Sequence, residues 1–345
     1  MSKEMQSKKP LAIDLFSGCG GLTEGLKQAG FFVGGAVELC SKAAATYELN
    51  HPEVELFIGD ITQIDARAIR RRLSLRKGEL DLLAGCPPCQ GFSRIKTKNG
   101  KYGDIDPRNS LVFQFKKYVD EFFPKCVMLE NVPALSKHQY FSDLKAFLEG
   151  KGYSVIDAVH DAAEYGVPQR RKRLIMLASR ISNVDWPMPS ASRSSVRQTF
   201  SAITRSVLVE DDLHNMPQRR SEKVERIIRA IPKNGGSRTQ LPDSLKLDCH
   251  MKMNGFFDVY GRMAWDDVSP TITGGCYNPS RGRFIHPEED RAISLREAAL
   301  LQGFPLRYKF LTSHGKESIA QMIGNALPPP LVLAHARPLY QLLVN

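Results

Sequence analysis

Short apolar runs alternate with amphipathic segments along the first half of the chain. Seven of these runs have the length and composition of strands, and they lie at residues 11–16, 33–38, 55–58, 80–84, 126–129, 153–159 and 173–178. Such alternation predicts a mostly parallel, doubly wound sheet with helices on both faces. The polar loop at 160–171 is too short for a helical crossover, so the last two strands are expected to pair antiparallel at the sheet edge.

The pattern changes after Arg180. A serine-rich stretch at 190–195 has the composition of a linker, residues 218–230 predict a basic amphipathic helix, and the glycines at 234–238 interrupt the pattern again. Residues 324–330 open a final helix that is expected to pack on the first domain. The expected catalytic and cofactor-binding domain comprises residues 1–180 and 306–345, and the smaller domain comprises residues 181–305 with its supporting helix.

The composition is that of an ordinary globular protein. Of the 345 residues, 42% are hydrophobic and 25% are charged. No apolar run approaches the roughly 18 residues of a membrane helix, and the lysine-rich start lacks an apolar signal core, so a cytoplasmic location is expected. The seven cysteines include a single Cys-x-x-Cys pair, which argues against a disulfide framework or a zinc ribbon, and no metal is expected.

The chain is strongly basic. Lys and Arg number 48 against 37 Asp and Glu, a formal net charge of +11. Clustered cations gain from releasing the counterions condensed on nucleic acid, so a polyanionic partner is favoured. Charge alone separates neither DNA from RNA nor a nucleic-acid enzyme from a merely basic one.

Residues 85–93 read Gly-Cys-Pro-Pro-Cys-Gln-Gly-Phe-Ser. The fourth predicted strand ends just before this segment, and open α/β sheets keep their active sites at the carboxyl ends of strands. Cys89, which stands between a rigid diproline and a glycine-containing turn, is therefore a candidate nucleophile. A redox or metal pair with Cys86 is the alternative, and it is disfavoured because two prolines separate the thiols and partner ligands are lacking.

Small residues follow the first strand at 14–22 and open a helix, which offers free backbone amides to a nucleotide-like ligand. Thr23 occupies the third glycine position of the dinucleotide fingerprint, so a different ligand is indicated. Glu38 ends the second strand, where it can accept from ribose hydroxyls. Asp60 and Ile61 close the third strand, where they can bind and cover adenine. Together these strand ends describe an adenosine site, with ordinary strand-end caps as the alternative for each carboxylate.

Two further groups are expected at the same edge. Glu130 ends the fifth predicted strand beside Cys89 and suits a proton donor, with a helix-capping role as the alternative. The basic run at 169–173 leads into the last strand, and alternation places Arg171 and Arg173 on one face. We interpret both arginines as site residues that hold a phosphate or a carbonyl oxygen, with a solvated face as the alternative.

Six blocks occur in the order found in the DNA cytosine-5 methyltransferases, which the chain resembles over nearly its full length. The blocks are residues 14–22, 87–93, 130–132, 169–173, 296–305 and 324–329. One position departs mildly, since Leu300 stands where many members carry an arginine. The resemblance implies a class I S-adenosylmethionine-dependent methyltransferase fold with a smaller target-recognition domain.

The resemblance also assigns sites. The cofactor would be S-adenosyl-L-methionine, converted to S-adenosyl-L-homocysteine without a metal. Its site would comprise Phe16, Ser17, Gly18, Cys19, Gly20, Gly21, Glu38, Asp60, Ile61, Pro88 and Asn325. The DNA-binding residues would be Gln90, Ser93, Arg94, Thr271, Thr273, Arg281 and Arg283.

By the same resemblance, Cys89 adds to C6 of a cytosine that is rotated out of double-stranded DNA, so that C5 can attack the methyl group. Glu130 would donate to N3, Arg173 would contact the base carbonyl, and Arg171 would contact a neighbouring phosphate. The compact size is typical of a bacterial or viral enzyme, expected to be monomeric, cytoplasmic and associated with the nucleoid. Partnership with a separate restriction endonuclease and action alone both stay open.

Three alternative functions remain at this point. Cytosine methylation of transfer RNA by the same fold is disfavoured because the Cys-Phe-Thr tripeptide of that branch is absent. A catalytically silent DNA-binding regulator is disfavoured by the intact Cys89, Glu130, Arg171 and Arg173. A nicotinamide oxidoreductase is disfavoured by Thr23.

Overall fold

The computed structural model describes residues 9–88, 111–190, 192–203, 209–247 and 258–345, which form two compact units. The first unit comprises the described parts of 1–161, 172–189 and 327–345. The second unit comprises those of 162–171 and 190–326.

A seven-stranded sheet forms the centre of the first unit. Its strands are β1 (Leu11–Leu15), β2 (Phe32–Glu38), β3 (Glu55–Ile58), β4 (Leu82–Gly85), β5 (Cys126–Asn131), β6 (Ser154–Asp161) and β7 (Lys172–Ser179). Their order is β3-β2-β1-β4-β5-β7-β6, and neighbouring strands are parallel except that β7 runs antiparallel to both β5 and β6. The predicted sheet and its antiparallel pair are confirmed.

Ten α-helices accompany the sheet in the described ranges. They are α1 (Gly21–Ala29), α2 (Ser41–Asn50), α3 (Ala66–Arg72), α4 (Leu111–Phe122), α5 (Gln139–Gly150), α6 (Val196–Phe200), α7 (Glu222–Ala230), α8 (Leu295–Leu301), α9 (Lys316–Asn325) and α10 (Pro329–Val344). Helices α1 to α5 and α10 belong to the first unit, and α6 to α9 belong to the second. None of these described helices is both long and apolar enough to cross a membrane.

The central strands are buried on both faces. Every residue of β4 and β5 is buried, which is why these segments are nearly continuous apolar runs rather than alternating ones. Helix α10 closes one face against α1, as predicted. A Cβ on Gly25 would lie 2.4 Å from the Cβ of Val332, so glycine is needed for this close approach.

The carboxyl ends of the parallel strands meet along one edge. The register pairs Leu15 with both Val37 and Gly85, and it pairs Gly85 with Leu129. The residues that follow these positions therefore lie side by side along the edge, at 16–20, 38–40, 86–88 and 130.

The second unit has little regular structure, and a buried arginine organises it. The Arg262 side chain is fully buried and donates to the carbonyl oxygens of Ile228, His286 and Glu289 at 2.6–2.9 Å. These side-chain donors satisfy carbonyls that no strand ladder reaches. The predicted helix at 218–230 is present as α7, which begins at Glu222.

The boundary between the units differs from the expected one. Residues 306–326 group with the second unit rather than with the catalytic domain. The reason is close packing, since a Cβ on Gly324 would lie 2.2 Å from the carbonyl carbon of Thr273. Residues 162–171 also join the second unit, where the Gln169 amide donates to the Leu301 carbonyl at 3.0 Å.

Candidate active site

The loop after β1 has an unusual backbone. Three of its residues have positive φ, namely Phe16 at 62°, Gly18 at 55° and Gly20 at 98°. Phe16 is the non-glycine among them, and such a conformation costs on the order of 1–3 kcal/mol unless the surroundings hold it. The Ser17 amide donates to the Val37 carbonyl at 3.0 Å, which ties the loop to β2.

Glu38 fastens the same loop. Its Oε2 accepts from the Gly18 amide at 2.8 Å, and its Oε1 accepts from the Cys40 amide at 2.7 Å. Glu38 therefore does cap the end of its strand, which was the alternative role left open by the sequence. A carboxylate has about four lone-pair sites, so Glu38 keeps acceptor capacity for ribose hydroxyls.

The loop leaves open space at Gly18. Within the described residues, nothing lies within 4 Å of where a Cβ on Gly18 would be. Helix α1 starts after Gly20, and its first turn has no side-chain cap. Cys19 and Gly21 are buried in this loop and serve as its packing residues.

Apolar side chains stand exposed beside this loop. Asp60 is exposed and Ile61 is buried after β3, close to the end of β2. Leu39 is 69% exposed, and Ile58 is 53% exposed. Sequence reasoning missed Leu39, although an apolar residue directly after a strand-end carboxylate was a usable signal. Exposed apolar surface next to Glu38 suits a planar ring.

The candidate nucleophile Cys89 lies outside the described residues, as do Gln90, Ser93 and Arg94. The segment that leads to it is described as far as Pro88, which is partly buried. The Asn131 amide donates to the Pro87 carbonyl at 2.9 Å, and Asn131 is itself buried. Sequence reasoning gave Asn131 no role, although it is part of the quoted block 130–132. The structure shows that the Asn131 side chain holds the backbone at Pro87, two residues before Cys89.

Glu130 and Arg173 form an ion pair at the strand ends. Arg173 Nε lies 2.8 Å from Glu130 Oε1, and the two side chains are only 16% and 11% exposed. The pair joins β5 to the neighbouring β7, so both groups are held by the sheet. The expected convergence of Glu130 and Arg173 is therefore observed.

Cys86 is held as a neutral thiol next to this pair. Burial is the largest cause of a pKa well above the usual value, followed by the charges of Glu130 and Asp14. A thiol that stays protonated is a poor nucleophile and a poor metal ligand. This argues against the alternative in which Cys86 and Cys89 form a redox or metal pair.

Arg171 has a different position from the one that the sequence predicted. It is buried in the second unit and donates to the carbonyl oxygens of Ile272 at 3.1 Å and Gly324 at 3.0 Å. Strand alternation suggested a face shared with Arg173, but the strand begins only at Lys172. Its guanidinium holds protein backbone, so it is not placed to contact a phosphate.

The expected DNA-binding residues of the second unit divide into two kinds. Thr273 and Arg281 are exposed. The Thr271 hydroxyl donates to the Arg170 carbonyl at 2.6 Å. Arg283 pairs with Asp258 at 2.9 Å and donates to three backbone carbonyls, including that of Gly236 at 3.1 Å. Its guanidinium is thus occupied within the protein, while Thr273 and Arg281 remain available.

Asn325, the last expected cofactor residue, is exposed at the end of α9 in the second unit.

The mostly parallel seven-stranded sheet, with β7 inserted antiparallel between β5 and β6, has the architecture of the class I methyltransferase fold. Comparison with known proteins gives the family. Residues 11–341 match the family model described as C-5 cytosine-specific DNA methylase. The chain belongs to this family and is a DNA (cytosine-5-)-methyltransferase.

Similar proteins and a similar solved structure agree with this family assignment. The chain is 34% identical to the type II methylase M.HgiDII of Herpetosiphon aurantiacus over 92% of each protein. It is 32% identical to the type II methyltransferase M1.HphI of Haemophilus parahaemolyticus, over 96% of this chain and 87% of that one. A prophage-encoded E. coli methyltransferase assigned to DNA modification shares 25% identity and a TM-score of 0.70, over 98% of this chain and 100% of that one.

Proposed function

We propose that the enzyme methylates C5 of a cytosine that is rotated out of a short specific sequence in duplex DNA, through a covalent bond between Cys89 and C6. The observation that carries this proposal is the buried pair of Glu130 and Arg173 beside the segment that leads to Cys89. The pairing edge of cytosine presents a carbonyl oxygen, a ring nitrogen and an amino group. A carboxyl group next to a guanidinium offers matching acceptors and donors.

Cytosine needs activation because its C5 is a poor nucleophile. In the proposed first step the Cys89 thiolate bonds to C6, the double bond moves from C5–C6 to C4–C5, and the electron pair released from the C4–N3 double bond takes a proton from the protonated form of Glu130. The product is a neutral enamine whose C5 is nucleophilic. Arg173 donates to the base carbonyl, where it holds the ring and stabilises negative charge that develops there.

The last step restores the aromatic ring. After C5 has gained the methyl group, its proton passes to water and the C6–sulfur bond breaks, so that Cys89 leaves as a thiolate. N3 returns its proton to Glu130, and the product is 5-methylcytosine. Because C6 is hidden in a stacked duplex, the base must first be rotated out, at a cost of a few kcal/mol.

Bound S-adenosyl-L-methionine supplies an electrophilic methyl group. The described residues fit this ligand, since Glu38 keeps acceptor capacity toward ribose hydroxyls and Gly18 borders open space. Leu39 and Ile61 offer apolar contacts for adenine, and Asp60 offers an acceptor for its amino group. The uncapped start of α1 suits the carboxylate of the ligand.

For the DNA partner, the net charge of +11 and the exposed Thr273 and Arg281 support contacts with bases and phosphates. We assign Arg171 to holding the Ile272 segment in place rather than to a phosphate. The type II names of the relatives support a pairing with a separately acting restriction endonuclease.

The test is transfer of labelled methyl from S-adenosyl-L-methionine to duplex DNA and to total transfer RNA in parallel, with sequencing of the methylated cytosines. The proposal expects methylation of DNA at one short sequence and none by a Cys89→Ala protein. If only transfer RNA became labelled, the substrate would be transfer RNA rather than DNA. Full activity of the Cys89→Ala protein would refute the nucleophile.

A further inference from the structure

Three buried polar side chains form a chain across the ends of the cofactor loop. Asp14 on β1, Thr23 on α1 and Tyr47 on α2 are fully buried. The Thr23 hydroxyl donates to Asp14 Oδ2 at 2.7 Å, and it lies 2.7 Å from the Tyr47 hydroxyl. Because the Thr23 proton is committed to Asp14, Tyr47 is the donor in the second bond.

These bonds connect the two ends of the loop that carries the positive φ angles. Asp14 lies two residues before Phe16, and Thr23 lies two residues after Gly21. A loop in an unfavourable backbone conformation persists only when surrounding contacts hold it. Tyr47 extends the connection to α2, which starts just after Glu38 and Leu39.

We propose that Asp14 is a positioning residue for cofactor binding, which acts with Thr23 and Tyr47 to hold the loop at 16–21 in the shape that the adenosyl ligand requires. This inference rests on the proposed function, since it takes S-adenosyl-L-methionine as the ligand of that loop. Asp14 itself is enclosed beneath the loop and acts through it.

Asp14 performs this role as a neutral acid. Burial raises the pKa of Asp14 to about 8, against a lowering contribution from the Thr23 hydroxyl, and Glu38 adds to the rise. Tyr47 and Cys86 also face Asp14, and burial raises the pKa of each well above its usual value. The surrounding groups are thus neutral or acidic.

The second carboxyl oxygen of Asp14 explains why ionisation is unfavourable. Within the described part of the chain, Oδ1 is buried and has no hydrogen-bond partner. A negative charge there would be buried away from solvent with no donor among the described residues, which is expensive in a protein interior. Loss of the proton is therefore expected to loosen the loop.

The test is calorimetric titration of the full chain with S-adenosyl-L-homocysteine. At pH 7 the Asp14→Asn protein should bind within about threefold of the wild type, because asparagine keeps the shape and the neutral charge. The Asp14→Ala and Thr23→Val proteins should each lose about tenfold or more, the equivalent of one lost hydrogen bond. Asp120→Asn, at an exposed site on α4 that bonds Lys151, is the matched control and should not change affinity.

The pH dependence separates positioning from simple stability. Wild-type affinity should fall as the pH rises above about 8, while the Asp14→Asn protein should show no such fall. Without ligand, the folded-state pKa of Asp14 lies above its unfolded value of 3.8. The melting temperature of the Asp14→Asn protein relative to the wild type should therefore rise between about pH 4 and pH 8, and then level off.

Two results would overturn the inference. One is equal loss of affinity in the Asp14→Asn and Asp14→Ala proteins, and the other is wild-type affinity that does not change between pH 7 and pH 10. A folded wild-type chain that binds no S-adenosyl-L-homocysteine at any pH would instead overturn the cofactor assignment on which the inference rests.

Discussion

The two units of this chain satisfy the hydrogen-bonding groups of their backbone in different ways. In the first unit, seven strands pair carbonyls with amides along continuous ladders. In the second unit, buried and partly buried arginines donate to carbonyls that no ladder reaches. The four clearest examples are Arg171, Arg262, Arg283 and Arg296.

This difference changes how the basic charge is understood. An arginine-rich segment next to a methyltransferase sheet suggests a surface for nucleic acid. Arg171 and Arg283 were expected to contact DNA, yet both use their guanidinium groups on the protein itself. Arg281, by contrast, is exposed and remains a candidate for a DNA contact.

The strongest test of this contrast is removal of Arg262. Arg262→Met should destabilise the second unit by about 3–5 kcal/mol, because several buried carbonyls and Asp290 lose their donor. The chain has two tryptophans, Trp186 in the first unit and Trp265 in the second. Urea unfolding followed by Trp265 fluorescence in a Trp186→Phe background measures the effect.

Arg262→Lys is the control for charge alone. Lysine cannot reproduce a planar fork of five donors, so it should restore little of the lost stability. A loss below about 1 kcal/mol in Arg262→Met would show that the buried arginine does not organise this unit.

Mild acid should weaken the first unit through two buried histidines. Burial lowers the pKa of both His51 and His335 to about 4, from an unfolded value of 6.5. Their stability contribution is present above pH 6.5 and is lost as the pH falls toward 4, at about 1 kcal/mol per pH unit for each histidine. Trp186, whose ring centroid lies 5.9 Å from that of His335, reports the unfolding.

His335→Gln isolates one of these contributions. The slope of its unfolding free energy against pH should be smaller by about 1 kcal/mol per pH unit between 6.5 and 4. An unchanged slope would show that His335 is not neutral in the folded chain.

At the active site, Asn131 supplies the kind of side-chain to backbone bond that is frequent in the second unit. Asn131→Ala should lower kcat about tenfold through misplacement of the Pro87 segment, with the KM for S-adenosyl-L-methionine unchanged. Asn131→Asp should not restore the rate, because a carboxylate cannot donate to the Pro87 carbonyl.

Ser136→Ala is the matched control for Asn131. The Ser136 hydroxyl also donates to a nearby carbonyl, that of Pro133 at 2.8 Å, but away from Cys89 in sequence. Its kcat should match the wild type. A normal kcat in Asn131→Ala would show that the Asn131 side chain does not position the Pro87 segment for catalysis.

The smallest expected effect is in the salt dependence of DNA binding. Arg281→Gln should lower the slope of log affinity against log salt by about 1, since it removes one phosphate contact. Arg171→Gln and Arg283→Gln should weaken binding with the slope unchanged, because their guanidinium groups hold the protein. Fluorescence anisotropy with a duplex between 50 and 200 mM salt, a range chosen to span roughly a fourfold change in counterion concentration, measures the slopes. If Arg283→Gln lowered the slope and Arg281→Gln did not, Arg283 rather than Arg281 would be the phosphate contact.

The sheet was predictable because hydrophobic periodicity records it directly. The strands, the antiparallel pair and the convergence of Glu38 and Glu130 at one edge all follow from run lengths and spacing. The internal use of Arg171 was not predictable, because its carbonyl partners lie 101 and 153 residues away and leave no mark in the local pattern. Leu39 and Asn131 were missed because neither residue type indicates a role until its neighbours in the structure are known.

Some expectations remain predictions. Cys89, Gln90, Ser93 and Arg94 lie outside the described residues, so their roles rest on the sequence and on the family. The same holds for the monomeric state.

The most direct test of the central claim is covalent trapping. A duplex that carries 5-fluorocytosine at the methylated position should stop the reaction at the adduct, because fluorine cannot leave as a cation. We predict a denaturant-resistant complex that requires S-adenosyl-L-methionine and whose DNA-linked peptide contains Cys89. A link to another residue, or methylation of ordinary DNA without any trapped complex, would contradict the account.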